Sequence, residues 1–126
     1  MQVKTATVLL ILEDPHDLQV YGTALGSLGY KVMLCGSYEE GITILESENI
    51  DLLVVSQGTR AFEGRSVLER ALQLHPRLPV LVVARVVDIH CYFEAMDIGA
   101  VEYLESPAPC ELLWTVATQV RRDYVV

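Results

Sequence analysis

The 126-residue chain carries 17 acidic and 9 basic side chains, a formal charge of −8, with a pI near 4.7 and a mean hydropathy of +0.34. Nucleic-acid binding needs Lys and Arg to neutralise phosphates, so this balance argues against a grip on nucleic acid by the domain alone and favours a basic partner surface. Its apolar runs fall far short of the roughly 20 residues that cross a bilayer, and no basic stretch with an apolar signal core opens the chain, so a cytoplasmic setting is expected.

One domain spanning residues 1–126, with its core over about residues 6–122, suits this length and would bury roughly two-thirds of the unfolded surface. A hydrophobic fraction of 52% fits a parallel sheet whose strands are apolar on both faces, which makes α/β the expected class. Cys35, Cys91 and Cys110 are odd in number and widely spaced. They read as reduced, half-buried fillers rather than a disulfide frame or a zinc site.

Taken in order, Thr7 to Leu12 is an apolar run expected to form the central strand, and Glu13-Asp14-Pro15 starts a helix with proline in its first turn. Leu18, Tyr21, Leu25 and Leu28 recur at helical spacing, and Gly29 stands at the left-handed C-terminal position. Lys31 to Cys35 is a short strand closed by Gly36; Ser37 and Glu40 make a capping box for a helix that buries Ile42, Ile44 and Leu45 and ends near Glu48. Leu52 to Val55 is the third strand. After a loop to Gly64, Val67, Leu68, Ala71, Leu72 and Leu74 mark a helix that stops before Pro76. Pro79 introduces strand four, Val80 to Val83. Asp88 is expected to cap a fourth helix with Ile89, Tyr92 or Phe93, and Met96 facing inward, and Gly99 ends it. Glu102 to Leu104 is a fifth strand; Pro107 and Pro109 open a last helix with Leu112, Leu113, Val116, Ala117 and Val120 inward and Arg121-Arg122 in its final turn.

Five βα units on a chain too short for an eight-unit barrel point to a doubly wound, flavodoxin-like parallel sheet with strand order 2-1-3-4-5. That order gathers the ends of strands one, three and five. Glu13-Asp14, Ser56 and the Glu105-Ser106-Pro107 turn should line one pocket, where open α/β sheets place ligands and chemistry.

The pieces now in hand are the acidic pair Glu13-Asp14; Asp51 to Val55, with Gly64 eight residues past Ser56; Leu78-Pro79-Val80; and Ala95 to Leu104 followed by Ser106-Pro107. In order and spacing they resemble the receiver domains of two-component response regulators over nearly the whole chain. The resemblance implies a module of phosphorelay signalling that is not an enzyme. In that family an aspartate ends strand three and accepts a phosphoryl group from a histidine kinase, with Mg²⁺ held by the acidic pair and that aspartate. Here Ser56 stands there, and a neutral hydroxyl neither forms an acyl phosphate nor binds a hard cation as a carboxylate does. The family's Thr or Ser after strand four corresponds to Ala84, and its lysine before the last proline to Ser106. Three losses in one pocket imply a retained scaffold without phosphotransfer, needing no cofactor and holding at most weak Mg²⁺ at Asp14.

The pair Glu13 and Asp14 still leaves as much negative charge as three acids and one lysine would. Either Arg85 or Arg60 is expected to compensate it, the alternative being that Arg85 points to solvent. Tyr103 occupies the place of the family's switch aromatic; without a hydroxyl at Ala84 it is expected to be a static surface residue or a partner contact. The face of helix four, strand five and helix five, carrying His90, Glu94, Tyr103, Trp114 and Arg121, is the expected surface for a kinase, an output domain or a second copy. Trp114 lies off the inner stripe and is flanking or exposed.

Three other readings compete. The segment Val54 to Gly58 has half of a nucleophile elbow but lacks its first glycine, and of His16, His75 and His90 only His16 is placed near Ser56. His75 reads instead as a helix C-terminal cation and His90 as solvent-facing. Glu13, Asp14 and His16 supply metal-ligand types without a fourth ligand, and the first βα turn lacks a glycine-rich phosphate cradle. Phosphorylation of Ser56 or a neighbouring acid, and a small molecule bound beside Asp14 and Arg85, remain as alternative functions. The ending Asp123 to Val126 is more apolar than a typical free tail, as expected where a longer regulator continues.

Overall fold

The computed structural model describes residues 5–124, with side chains to residue 120. Five strands and five helices alternate: β1 Thr7–Ile11, α1 Pro15–Ser27, β2 Lys31–Cys35, α2 Tyr38–Ser47, β3 Leu52–Ser56, α3 Arg65–Leu74, β4 Val80–Ala84, α4 Ile89–Ile98, β5 Glu102–Glu105 and α5 Pro109–Tyr124. The strands form one parallel sheet in the order β2-β1-β3-β4-β5, so the α/β, flavodoxin-like expectation holds. β3, rather than β1, is the middle strand.

The alternation of side chains along each strand divides the core in two. Leu9, Ile11, Leu53, Val55, Val80 and Val82 face the layer of α2, α3 and α4 with Leu45, Val67, Leu68 and Ala95. Val8, Leu10, Leu52, Val54, Leu81 and Val83 face α1 and α5 with Tyr21, Leu25, Leu112 and Val116. Both faces of β1, β3 and β4 are therefore dry, and each such leucine or valine contributes about 1.5–3 kcal/mol of burial.

Local chemistry fixes the helix starts. Asp14 caps α1, its Oδ1 accepting from the N–H groups of His16 at 2.8 Å and Asp17 at 3.0 Å, with Pro15 as the first helical residue. Ser37 caps α2, and Asp88 caps α4 by accepting from the N–H groups of His90 and Cys91, each at 3.0 Å. Gly29, at φ +91°, turns the chain out of α1.

Several sequence expectations are corrected. Leu28 is exposed rather than part of the α1 stripe, because it is the C-cap and the helix axis has already turned away. Cys35 and Cys91 are buried thiols, but Cys110, in the first turn of α5, is exposed. In α4 the inner residues are Cys91 and Ala95, whereas Ile89, Tyr92, Phe93 and Met96 are exposed. Small side chains let α4 approach the sheet, and the larger ones fall on the other side. In the loop after β3, Phe62, at φ +55°, and Gln57 are both buried.

Candidate functional site

The carboxyl ends of β1, β3, β4 and β5 meet at a cleft of about 760 Å³. Register makes this unavoidable: Ile11 lies beside Val55, Ser56 beside Val83, and Ala84 beside Glu105. The cleft is lined by Glu13, Asp14, Asp17, Tyr21, Ser56, Gly58, Ala84, Arg85, Ser106 and Pro107, with Leu12, Pro15 and Val83 as apolar wall. All five pocket positions singled out in the sequence, Glu13, Asp14, Ser56, Ala84 and Ser106, thus come together.

The charged side of the cleft is internally paired. Arg85 follows β4 directly, and its guanidinium forms an ion pair with Asp14 Oδ2 and reaches Asp17 Oδ2 at 3.3 Å. Asp14 consequently has one oxygen on the α1 N-terminus and the other on Arg85. The backbone N–H of Asp17 above all, followed by that of His16 and the charge of Arg85, hold its carboxyl below the usual range. Arg60 does not share this role: it is 89% exposed in its side chain and sits 3.7 Å from Asp88 at the α4 cap.

The polar side is organised by a residue the sequence reading passed over. Tyr38, the first residue of α2, places its hydroxyl 2.9 Å from Ser56 Oγ and 3.0 Å from Glu13 Oε1. A tyrosine hydroxyl has one proton, so the arrangement that satisfies all three groups has Ser56 donating to Tyr38 and Tyr38 donating to the Glu13 carboxylate. Burial, reinforced by Glu13, pushes the Tyr38 phenol well above its ordinary value. Gly58, at φ +86°, borders this side chain: a Cβ there would collide first with Glu63 Oε1 and would lie 3.1 Å from the Tyr38 hydroxyl. The signal was one of shape rather than motif, a bulky aromatic at the start of α2 facing a glycine across the cleft.

Ala84 closes the end of β4 with a buried methyl group. Ser106 adopts φ +35°, donates its N–H to Ala84 O at 2.7 Å, and turns its hydroxyl to the backbone carbonyl of Arg85 at 3.2 Å. It shapes the loop that carries Arg85. Tyr21 pins the same turn from below by donating to Pro107 O at 2.6 Å.

Tyr103 stands between surface and core. It is half-buried against the α2–α4 side of the core, its hydroxyl donates to the buried Gln57 Oε1, and it accepts from the Asp88 N–H at 3.3 Å. Gln57 is the residue after Ser56, so the ring is tied to the end of β3. The inward position is filled through a glutamine that belongs to no recognisable motif.

The remaining positions divide. His90 and Trp114 are exposed, the latter at 76%; Glu94 leans toward α3 and pairs with Arg65 at 2.7 Å, and the side chain of Arg121 lies outside the described residues. His16 offers its backbone N–H to Asp14 and its side chain is exposed. Ser56 therefore shows a tyrosine partner and no histidine partner among the described residues. The His75 ring lies 3.3 Å from Leu45 O at the far end of α3, remote from the cleft. Among the described residues no group of three or more His, Cys, Asp or Glu side chains is arranged to hold a metal ion, and no helix is long and apolar enough to cross a membrane.

Comparison with known proteins gives the same picture over the whole fold. Residues 8–117 match the family model described as the response regulator receiver domain. The chain is 27% identical over 114 residues to the transcriptional regulatory protein GlrR of Escherichia coli, covering 90% of this chain but 26% of that protein. It thus spans about a quarter of that relative's length. Among solved structures, it superposes on a CheY-like receiver domain protein from Methanospirillum hungatei with a TM-score of 0.90 at 22% identity, over 96% of this chain and 98% of that one. A response regulator from Burkholderia pseudomallei, solved with a phosphorylated aspartic acid, calcium and citrate, gives 0.79 at 22% identity over 95% of this chain and 73% of that one. The chain belongs to the receiver-domain family of two-component response regulators.

Proposed function

We propose that this receiver domain is phosphorylation-incompetent, a pseudo-receiver that takes part in signalling through protein–protein contact rather than by accepting a phosphoryl group. The observation that carries this reading is the Ser56–Tyr38–Glu13 chain: the end of β3 presents a neutral hydroxyl already bonded to a phenol. Ala84 has no hydroxyl and Ser106 no charge to offer an incoming phosphoryl oxygen, so three of the family's reactive positions are absent together.

The donor set also does not fit Mg²⁺. Asp14 divides its two oxygens between the α1 N-terminus and Arg85, Glu13 accepts a hydrogen bond from Tyr38, and Ser56 contributes no carboxylate. A hard divalent cation needs several free oxygen ligands, and here a guanidinium stands in its place as counter-charge. Output then depends on a partner, a kinase or output domain, or a second copy meeting the α4–β5–α5 face, in a cytoplasmic setting and without catalysis by the domain itself.

The test is incubation with acetyl phosphate and Mg²⁺ followed by intact-mass measurement on the wild type and Ser56→Ala. No phosphoryl adduct is expected on either. An adduct lost in Ser56→Ala would establish unconventional phosphoacceptance instead. A second reading draws on the cleft itself: beside Asp14 and Arg85 it is large enough for a small ligand, and a ligand that shifts the resonances of Arg85 and Ser56 would favour it.

A further inference from the structure

The cleft at the carboxyl end of the sheet has the size of a ligand pocket, about 760 Å³ against the roughly 300–1,000 Å³ usual for small-molecule sites. Its wall is mixed in character. Leu12, Val83 and Pro107 are buried and apolar, and they share the cleft with hydroxyl and carboxylate side chains. Such a lining suits a ligand with an aliphatic body and a polar head.

Charge decides which head. Three carboxylates, those of Glu13, Asp14 and Asp17, line the cleft against the single guanidinium of Arg85, so the lining is anionic by two charges. A cleft with apolar walls focuses that field, repelling anions and drawing in cations. Glu13 accepts a hydrogen bond from the neutral Tyr38 hydroxyl at 3.0 Å and has no ion-pair partner among the described residues.

The acceptors are dispersed rather than convergent. Asp14 commits Oδ1 to the N–H groups of His16 and Asp17, which leaves its Oδ2, Asp17 Oδ2 and the Glu13 carboxylate facing the cleft. Acceptors drawn singly from three side chains suit a planar fork of N–H donors better than the octahedral shell of a hard metal ion. The molecule already holds such a fork there: Arg85 pairs with Asp14 Oδ2 and reaches Asp17 Oδ2 at 3.3 Å. Its side chain is 67% exposed. An ion pair so open to water is weak, and an incoming cation can exchange with it.

We infer that the cleft is a binding site for a compact organic cation of the alkylguanidinium class, with Arg85 as the built-in occupant that this cation displaces. The ligand's guanidinium pairs with Glu13 and Asp17, and its alkyl body lies along Leu12, Val83 and Pro107. A free guanidino compound and an arginine side chain of a partner protein share this chemistry. The inference rests on the reading of the cleft as a ligand site and names the class of ligand.

The test titrates the isotope-labelled full chain with n-butylguanidinium and follows the backbone resonances of Asp14, Asp17 and Ser56, beside the neutral isostere n-butylurea and the anion n-butyl phosphate. Saturable shifts are expected with the cation alone. Affinity should rise about tenfold in Arg85→Gln, which frees the acids, and fall about tenfold or more in Glu13→Gln/Asp17→Asn. It should hold in Glu39→Gln/Glu48→Gln, which removes the same charge from exposed positions outside the cleft. Absence of saturable shifts in both the wild type and Arg85→Gln would overturn the inference, as would unchanged affinity in Glu13→Gln/Asp17→Asn. Equal shifts with butylurea or butyl phosphate would overturn the cation class while leaving a ligand cleft standing. N-acetyl-arginine methylamide separates the sources: binding as tight as that of butylguanidinium supports the site with a partner's arginine as its ligand, and binding of butylguanidinium alone supports it with a free compound.

Discussion

The Tyr38 hydroxyl lies 2.9 Å from Ser56 Oγ, so the side chain at the end of β3 is committed to a hydrogen bond inside the fold. Tyr38→Phe removes the bridge to Glu13 as well as the partner of Ser56. Both released groups border the open cleft and regain water, so the cost should stay within about 0.5–1.5 kcal/mol. Urea unfolding of the variant beside the wild type checks it.

The same residue governs behaviour at high pH. Burial raises the phenol of Tyr38 in the fold, and burial likewise raises Tyr21 and Tyr103. A raised folded value favours the protonated form, so its stabilisation is complete below the unfolded value near 10 and fades as pH climbs through the folded value. The urea midpoint should therefore decline above about pH 10, and decline less in Tyr38→Phe. At the acid end the sign reverses. Asp14, held low by the Asp17 and His16 N–H groups and by Arg85, and Asp88, held low first by the Cys91 N–H, contribute above their unfolded values and lose that contribution as pH falls below about 4.

Gln57 and Tyr103 should behave as a unit. Gln57→Leu strips the Tyr103 hydroxyl of its buried acceptor and should cost about 1–3 kcal/mol, with Tyr103→Phe costing a similar amount through the orphaned amide. The double variant should cost less than the two singles added, with a coupling of about 1 kcal/mol. Additive losses in chemical denaturation would mean that the two side chains do not depend on each other.

Gly64 precedes α3 at a point where an added Cβ would collide with the backbone carbonyl of Ser56. Backbone cannot step aside as a flexible side chain can, so Gly64→Ala should lose about 3 kcal/mol or more. Gly41→Ala is the contrast: its Cβ would meet first the far end of the Ile11 side chain rather than backbone, and the loss should be smaller. Thermal unfolding of the two variants measures the difference.

The fold was legible because its strands are short apolar runs bounded by Pro, Gly and acidic turns, and strand order followed from five βα units. The pocket positions were legible for the same reason: Glu13, Asp14, Ser56, Ala84 and Ser106 all sit at the carboxyl ends of strands, and strand order alone brings them to one cleft. What escaped depends on side-chain reach. Tyr38 enters from a helix across a glycine, and Gln57 turns inward beside Ser56 rather than into solvent. The α4 stripe was inverted because periodicity finds an apolar face without saying which of two faces is buried. Here the small residues Cys91 and Ala95 won the inside. Arg85 and Arg60 were equal candidates by charge, and only the loop after β4 delivers its arginine to Asp14.

If phosphotransfer is lost at Ser56, Ala84 and Ser106 together, no single residue restores it. The measurement is the rate of phosphoryl uptake from acetyl phosphate with Mg²⁺, followed by intact mass, for Ser56→Asp and for Ser56→Asp/Ala84→Thr/Ser106→Lys. The single variant should stay essentially unmodified while the triple variant acquires a phosphoryl group; uptake by Ser56→Asp alone at the rate of the triple variant would mean that the pocket lacks only its aspartate.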